Sequence, residues 1–336
     1  MSGVAAAIFG CSGPRLTATE ARFFAENQPW GFILFARNVE TPDQLRRLTG
    51  DLRDCVGRDV PVLIDQEGGR VQRLRAPYWR EWMPPLDQIN RAVKGAVDPA
   101  RAMYIRARVI ADELRAVGID VNCAPLADLT FPDTHPFLKN RTYGADPAQV
   151  IRLARATAEG HFAGGVIPVL KHMPGHGRSL PDSHLHLPVV TAAAAELART
   201  DFAPFKALAD LPLAMTGHLI FTAFDAENPA TVSRPVIDMI RRDIGFAGLL
   251  MTDDISMQAL AGNVASRSVR AINAGCDLIL HCNGEAEEMR QIVDVCGHLS
   301  ASQLVLGQSA LARRAGADQA DIEALMAEFN MSLSGQ

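Results

Sequence analysis

Val166-Ile-Pro-Val-Leu-Lys-His-Met-Pro-Gly-His-Gly-Arg-Ser-Leu-Pro-Asp-Ser-His-Leu-His-Leu-Pro188 is an apolar run that opens into a loop dense with ionisable side chains. Lys171, His172, His176, Asp182, His184 and His186 all lie within it, so four of the chain's nine histidines share one segment. A short apolar run bounded by turn residues reads as a buried strand, and the Gly and Pro that follow shape a loop with fixed backbone angles. In α/β barrels the chemistry sits where strands end at the C-terminal face. A strand that ends in a lysine and a histidine therefore asks whether other strands end the same way.

Further apolar, β-branched runs occur at 4–11, 31–35, 61–65, 120–125, 213–218, 248–253 and 277–281, and 167–171 makes the eighth. Helix-forming spacing fills 41–56, 98–117, 146–163, 192–211 and 233–244 between them, with Asp98, Asp146 and Ser233 as N-caps. Pro99 stands at a first helical position, where its missing N–H costs nothing. Eight strands alternating with helices predict an α/β fold, a single (β/α)8 TIM-type barrel with its active site at the C-terminal ends of the strands. Residues 76–97 and 131–145 carry several prolines and read as loops decorating the barrel. The tail after Gly297 reads as terminal helices on its outside. With no linker, repeat or low-complexity stretch, one catalytic domain over 1–336 is expected.

Composition narrows the partners. Of the 336 residues 48% are hydrophobic and 21% charged, with a net charge of −5, which excludes a phosphate backbone or an anionic membrane as the main partner. The six cysteines are scattered without a CxxC pair, which fits reduced thiols. The apolar N-terminus has no basic leader and reads as the first barrel strand. No stretch is long enough to span a bilayer. A cytoplasmic monomer with a small-molecule substrate is the expectation.

Strand ends supply the candidate site. Strand three ends in Asp65-Gln-Glu-Gly-Gly-Arg-Val-Gln-Arg73, strand five in Lys171-His172, strand six in Thr216-Gly-His218 and strand seven in Thr252-Asp253-Asp254. A barrel gathers these on one face. One acid of the Asp253-Asp254 pair can cap the following turn while the other faces the pocket, and Asp253 is nearer the rigid strand end. Asp182 and His184, at i and i+2, can hydrogen-bond so that the carboxylate fixes the imidazole tautomer; a solvated Asx turn is the plainer alternative. Lys171 reads either as a Schiff-base lysine or, with so many carboxylates near it, as a charged donor to substrate, and the second is preferred. Asp65 suits a bidentate acceptor for vicinal hydroxyls, and Arg73 and Arg141 suit donors. The two glycines after Glu67 read as a tight turn, not a dinucleotide fingerprint. His172, His176, Asp182, His184 and His186 could serve as metal ligands, but their spacing matches no tight ligand motif and Lys171 and Arg178 would repel a cation. No metal and no cofactor are expected.

Ile64-Asp-Gln-Glu-Gly-Gly-Arg-Val-Gln-Arg73, Asn140-Arg-Thr-Tyr-Gly144, Lys171-His-Met-Pro-Gly-His-Gly177, Asp182-Ser-His184 and Thr252-Asp-Asp-Ile-Ser-Met257 together resemble glycoside hydrolase family 3. More narrowly they resemble its single-domain bacterial β-N-acetylhexosaminidases of the NagZ type. The motifs span almost the whole chain in the family's order. Met173 stands where Phe is common, and Thr142-Tyr143 where Ser-Phe is common, without loss of a polar contact. The resemblance implies a barrel hydrolase that removes terminal, non-reducing N-acetyl-β-D-glucosamine with retention. Asp253 would be the nucleophile, His184 the general acid/base and Asp182 its partner. Asp65, Arg73, Arg141, Lys171 and His172 would grip the sugar. It further implies N-acetylglucosaminyl-anhydro-N-acetylmuramic acid, with or without peptide, as substrate in peptidoglycan recycling. A metal-dependent barrel hydrolase and a non-catalytic sugar-binding barrel are the alternatives.

Overall fold

The computed structural model describes residues 3–179 and 187–334. Its strands are β1 (Ala5–Gly10), β2 (Pro29–Leu34), β3 (Val62–Ile64), β4 (Val121–Asn122), β5 (Ile167–Met173), β6 (Val189–Val190), β7 (Leu213–Thr216), β8 (Ile220–Phe221), β9 (Leu249–Met251) and β10 (Ile279–His281). Eight of them form one parallel sheet in the order β10-β1-β2-β3-β4-β5-β7-β9. A parallel bridge between Met251 and Leu278 joins the two edges. The Thr252 N–H donates to the Leu278 carbonyl at 3.0 Å, and the Leu280 N–H donates to Thr252 Oγ1 at 3.0 Å, so the ring closes. Each of the eight expected strands has its counterpart. The parallel pair β6 and β8 was not expected, since two residues are too few to show a period.

Side chains alternate across a strand, and the alternation sorts this barrel into two cores. Ala6, Ile8, Leu63, Val121, Ile167, Val169, Leu213, Met215, Leu249, Met251, Leu278 and Leu280 fill the interior. Ala7, Phe9, Val62, Ile64, Leu170, Ala214 and Leu250 pack outward with the helices. Continuing the inward series by two residues reaches Asp65 after Leu63, Lys171 after Val169 and Asp253 after Met251. The barrel's last interior layer is therefore polar where the layers below it are apolar.

The helices Pro42–Val56, Pro99–Arg115 and Pro147–Ala163 follow the predicted spacing. Asp98 accepts from the Ala100 N–H at 3.0 Å, Asp146 from the Gln149 N–H at 3.2 Å and Ser233 from the Val236 N–H at 3.4 Å, so the three expected caps are present.

Four expectations need correction. The single helix expected over 192–211 is broken into Ala194–Arg199 and Ala203–Ala207. Pro204 cannot donate to an earlier turn, and the buried Asp201 side chain turns inward to Arg178. The helix begun at Arg234 stops at Met239, and a wider π turn, Ile240–Ile244, ends at Gly245 with φ 84°. Residues 76–97 and 131–145 are not loops throughout, because they carry the helices Pro85–Lys94 and Pro136–Lys139. Last, the helix Ala301–Ala312 does not lie on the barrel's flank. Its Leu304 and Ala310, with Leu299 before it, pack against the interior cluster. A Cβ at Gly307 would stand 2.9 Å from Trp30 Nε1, so only glycine lets this helix close on the barrel.

Candidate active site

The polar layer is built from loops that follow β3, β4, β5, β7 and β9. After β3 the chain turns sharply, with Gly68 at φ 106° and Gly69 at φ 59° and an antiparallel bridge between Gly68 and Val71. A side chain on Gly68 would run into the guanidinium of Arg106. That guanidinium is itself buried and hydrogen-bonds the carbonyls of Glu67 and Met83. The turn thus presents Asp65 and Glu67 to Lys171.

Lys171 is the hub. Its Nζ lies 2.8 Å from Asp65 Oδ1 and 2.6 Å from Glu67 Oε1, with 2% of its side chain exposed. Arg73 reaches Asp65 Oδ2 at 3.1 Å, and Arg141 grips both Glu67 oxygens at 2.9 and 2.8 Å. Burial of an ammonium favours its neutral form, and an unpaired one would lose its proton. Here the two carboxylates outweigh burial and hold the Lys171 pKa above its ordinary value. Burial likewise works against ionised Asp65 and Glu67. Lys171 and Arg73 outweigh it at Asp65, and Arg141 and Lys171 at Glu67, so both carboxyls stay below the usual range. A permanently charged lysine is a donor, not a Schiff-base amine.

The loop after β4 supplies Asp128, fully buried. Its carboxylate accepts from His172 Nδ1 at 2.8 Å and from the His176 backbone N–H at 2.7 Å. With Nδ1 engaged, the His172 Nε2 atom is the one left for other contacts. The rings of His172 and His176 meet edge to face at 5.4 Å, and His176 Nδ1 lies 2.8 Å from Ser179 Oγ. Burial and the neighbouring His172 push the His176 pKa down, so its neutral form is favoured.

At the end of β9 the two acids take different tasks. Asp254 accepts from the N–H and Oγ of Ser256 and from the Cys282 N–H, which ties the loop together. Asp253 accepts the Asp254 N–H at 2.8 Å and lines the pocket. Burial opposes its ionised form, but His218 and then His172 prevail, and its pKa lies below the ordinary carboxylate value.

A cavity of about 310 Å³ opens above this layer, lined among others by Arg141, His172, His176, His218 and Asp253, with Phe137 and Met257. Asp65, Arg73, Arg141, Lys171, His172 and Asp253, named from the sequence, are therefore brought to one end of the barrel. Asp182 and His184 lie outside the described residues, as does His186. Among the described residues no group of three or more His, Cys, Asp or Glu side chains is arranged to hold a metal ion. Asp128 and Glu67 hold the site together although no motif in the sequence gives either of them a role. Asp128 follows strand four as Asp65 follows strand three, and that parallel was the available signal. The thiols of Cys123 and Cys282 stand close to these carboxylates, and burial together with the carboxylate charges raises both far from thiolate formation.

Residues 6–313 match the family model for the glycosyl hydrolase family 3 N terminal domain. The chain belongs to glycoside hydrolase family 3. A β-hexosaminidase of Methylococcus capsulatus is 34% identical over 328 residues, which are 95% of this chain and 94% of that protein. One from Bordetella avium is 35% identical over 279 residues, 81% of this chain and 79% of the relative. NagZ from Neisseria gonorrhoeae, solved in complex with N-trifluoroacetyl-D-glucosamine, superposes with a TM-score of 0.85 at 28% identity, covering 99% of this chain and 97% of that one. The family 3 β-N-acetylglucosaminidase from a Paenibacillus species gives 0.84 at 29% identity, over 97% of this chain and 67% of that one. The family 3 enzyme is thus a glycoside hydrolase whose relatives are β-hexosaminidases of the NagZ type, as its motifs suggested.

Proposed function

We propose that this family 3 enzyme is an exo-acting β-N-acetylglucosaminidase that works with retention through a covalent glycosyl-enzyme. The observation that carries this reading is the placement of Asp253, held ionised at the strand end and open to a sugar-sized cavity. A retaining glycosidase needs a carboxylate on one face of the anomeric carbon and a proton donor on the other. Asp253 bonds to the anomeric carbon as the glycosidic C–O bond breaks, and the departing oxygen takes a proton. His184 supplies that proton, with Asp182 fixing its tautomer, and then accepts one from the water that releases the sugar. This dyad is assigned by motif.

Asp65 and Lys171 bind vicinal sugar hydroxyls as acceptor and donor, with Arg73 and His172 beside them. Arg141 spends Nε and Nη2 on Glu67, which leaves Nη1 for the ligand. The N-trifluoroacetyl-D-glucosamine held by the Neisseria NagZ is a sugar of the expected class. The substrate follows from the family resemblance: N-acetylglucosaminyl-anhydro-N-acetylmuramic acid, with or without peptide, cleaved in the cytoplasm during peptidoglycan recycling by one catalytic domain over 1–336.

Release of nitrophenol from 4-nitrophenyl N-acetyl-β-D-glucosaminide tests the reading. Turnover should survive EDTA and fall by at least about a thousandfold in Asp253→Ala, as expected for loss of a nucleophile. Turnover lost with EDTA, or kept by Asp253→Ala, would contradict it.

A further inference from the structure

The layer between the strands and their helices is largely apolar, yet it holds a buried polar pair behind the site. Val121 fills the barrel interior, so Asn122, next on β4, faces outward by the alternation of a strand. There it meets His161 of the helix Pro147–Ala163, and both side chains are buried. Such a pair is costly unless its polar atoms are bonded, and here they are. The Thr157 carbonyl only accepts, so His161 Nδ1 donates to it at 2.8 Å and Nε2 is left as an acceptor. Asn122 Nδ2 donates to that Nε2 at 2.8 Å and, with its second hydrogen, to the Gln66 carbonyl at 3.2 Å. Its Oδ1 accepts the Gln66 N–H at 2.9 Å. Burial outweighs the pull of the Thr157 carbonyl and, with the Arg106 charge, pushes the His161 pKa down to about 4. The ring is therefore neutral near pH 7, as an accepting Nε2 requires.

Gln66 stands between Asp65 and Glu67, the two carboxylates that meet Lys171. Its Oε1 accepts the backbone N–H groups of Arg73 and Leu74 at 2.9 and 3.0 Å. One buried glutamine thus links Asp65, Glu67 and Arg73, and Asn122 binds both polar groups of its backbone. We propose that His161 is a positioning residue for sugar binding, which orients the Asn122 carboxamide and through it the segment 65–73. The inference rests on the glycosidase reading above, in which Asp65 and Arg73 hold the sugar.

Two polar replacements separate the two ring nitrogens. His161→Asn places an amide where Nδ1 stands and keeps the bond to Thr157, whereas His161→Gln reaches as far as Nε2 and offers its carbonyl to Asn122. Kinetics use 4-nitrophenyl N-acetyl-β-D-glucosaminide as substrate and N-acetyl-D-glucosamine as competitive inhibitor. His161→Asn should raise both KM and Ki about threefold to tenfold, the share of one hydrogen bond, with kcat little changed. His161→Gln should recover most of that loss. His161→Leu, apolar and without an acceptor, takes the place of His161→Asn should that variant not fold. A merely structural role lowers the fraction of active enzyme, so unchanged KM and Ki overturn the inference whatever kcat does. His161→Gln no better than His161→Asn overturns it as well. Both results leave the glycosidase reading standing, and a wild-type enzyme without turnover overturns the two together.

Discussion

His218 Nε2 lies 3.1 Å from the backbone oxygen of Asp254, the residue that follows Asp253. A carbonyl only accepts, so Nε2 carries the proton, and Nδ1 meets Thr231 Oγ1 at 2.7 Å. The imidazole thus ties the end of β7 to the end of β9 and stands beside the Asp253 carboxylate. After burial, which pushes the Asp253 pKa up, His218 is the foremost influence and pulls it down.

Replacing it frees burial to act. In His218→Asn the acid limb of kcat/KM should move to higher pH by about one unit, the low end of what a neighbouring charge contributes. A pH–rate profile on the nitrophenyl substrate checks this. A merely structural loss would scale the rate at every pH and leave the limb in place.

The Asp128 carboxylate orients His172 and the backbone of His176 together. Asp128→Asn puts an amide donor against donors and strands at least one buried N–H, which costs about 1–3 kcal/mol. If those residues hold the sugar, kcat/KM should fall about ten- to a hundredfold, through KM more than kcat. Steady-state kinetics on a folded variant decides it, and an unchanged KM would show that His172 does not depend on Asp128.

Lys171, Asp65 and Glu67 bear on stability as well as binding. Lys171→Met leaves two buried carboxylates short of a counter-charge and should cost about 3–5 kcal/mol in urea denaturation. Both carboxyls have lowered folded pKa values, so their contribution is present above the unfolded values near about 4 and is lost as pH falls through the folded ones. Wild-type midpoints should therefore drop on acidification below about pH 4. In Lys171→Met that drop should be much smaller, and an equal drop would place the acid sensitivity elsewhere.

Much of this was legible before any coordinates. Apolar runs marked all eight barrel strands, because an interior strand must be apolar on both faces and breaks visibly at its polar end. That break put Asp65, Lys171, His172, His218 and Asp253 on one rim. Glu67 and Asp128 were less visible, since a residue whose work is to hold Lys171 or His172 shows its purpose only when its partner is in view. The break at Asp201 in the helix expected over 192–211 came from a buried ion pair with Arg178, which no helical period records. The closing of the barrel by Ala301–Ala312 was hidden for a similar reason. That helix is weakly amphipathic, and its fit depends on Gly307 meeting Trp30.

The claim that Asp253 forms a covalent bond to the sugar is tested most directly with an activated 2-deoxy-2-fluoro-β-D-glucoside, followed by proteolysis and mass spectrometry. The fluorine slows release of the intermediate, and without an acetamido group the substrate cannot serve as its own nucleophile. The account predicts one fluoroglucosyl adduct on the peptide that contains Asp253, localised to that residue and absent in Asp253→Ala. An enzyme that hydrolyses the N-acetylglucosaminide yet gives no adduct, or carries it on Asp254, would contradict the assignment.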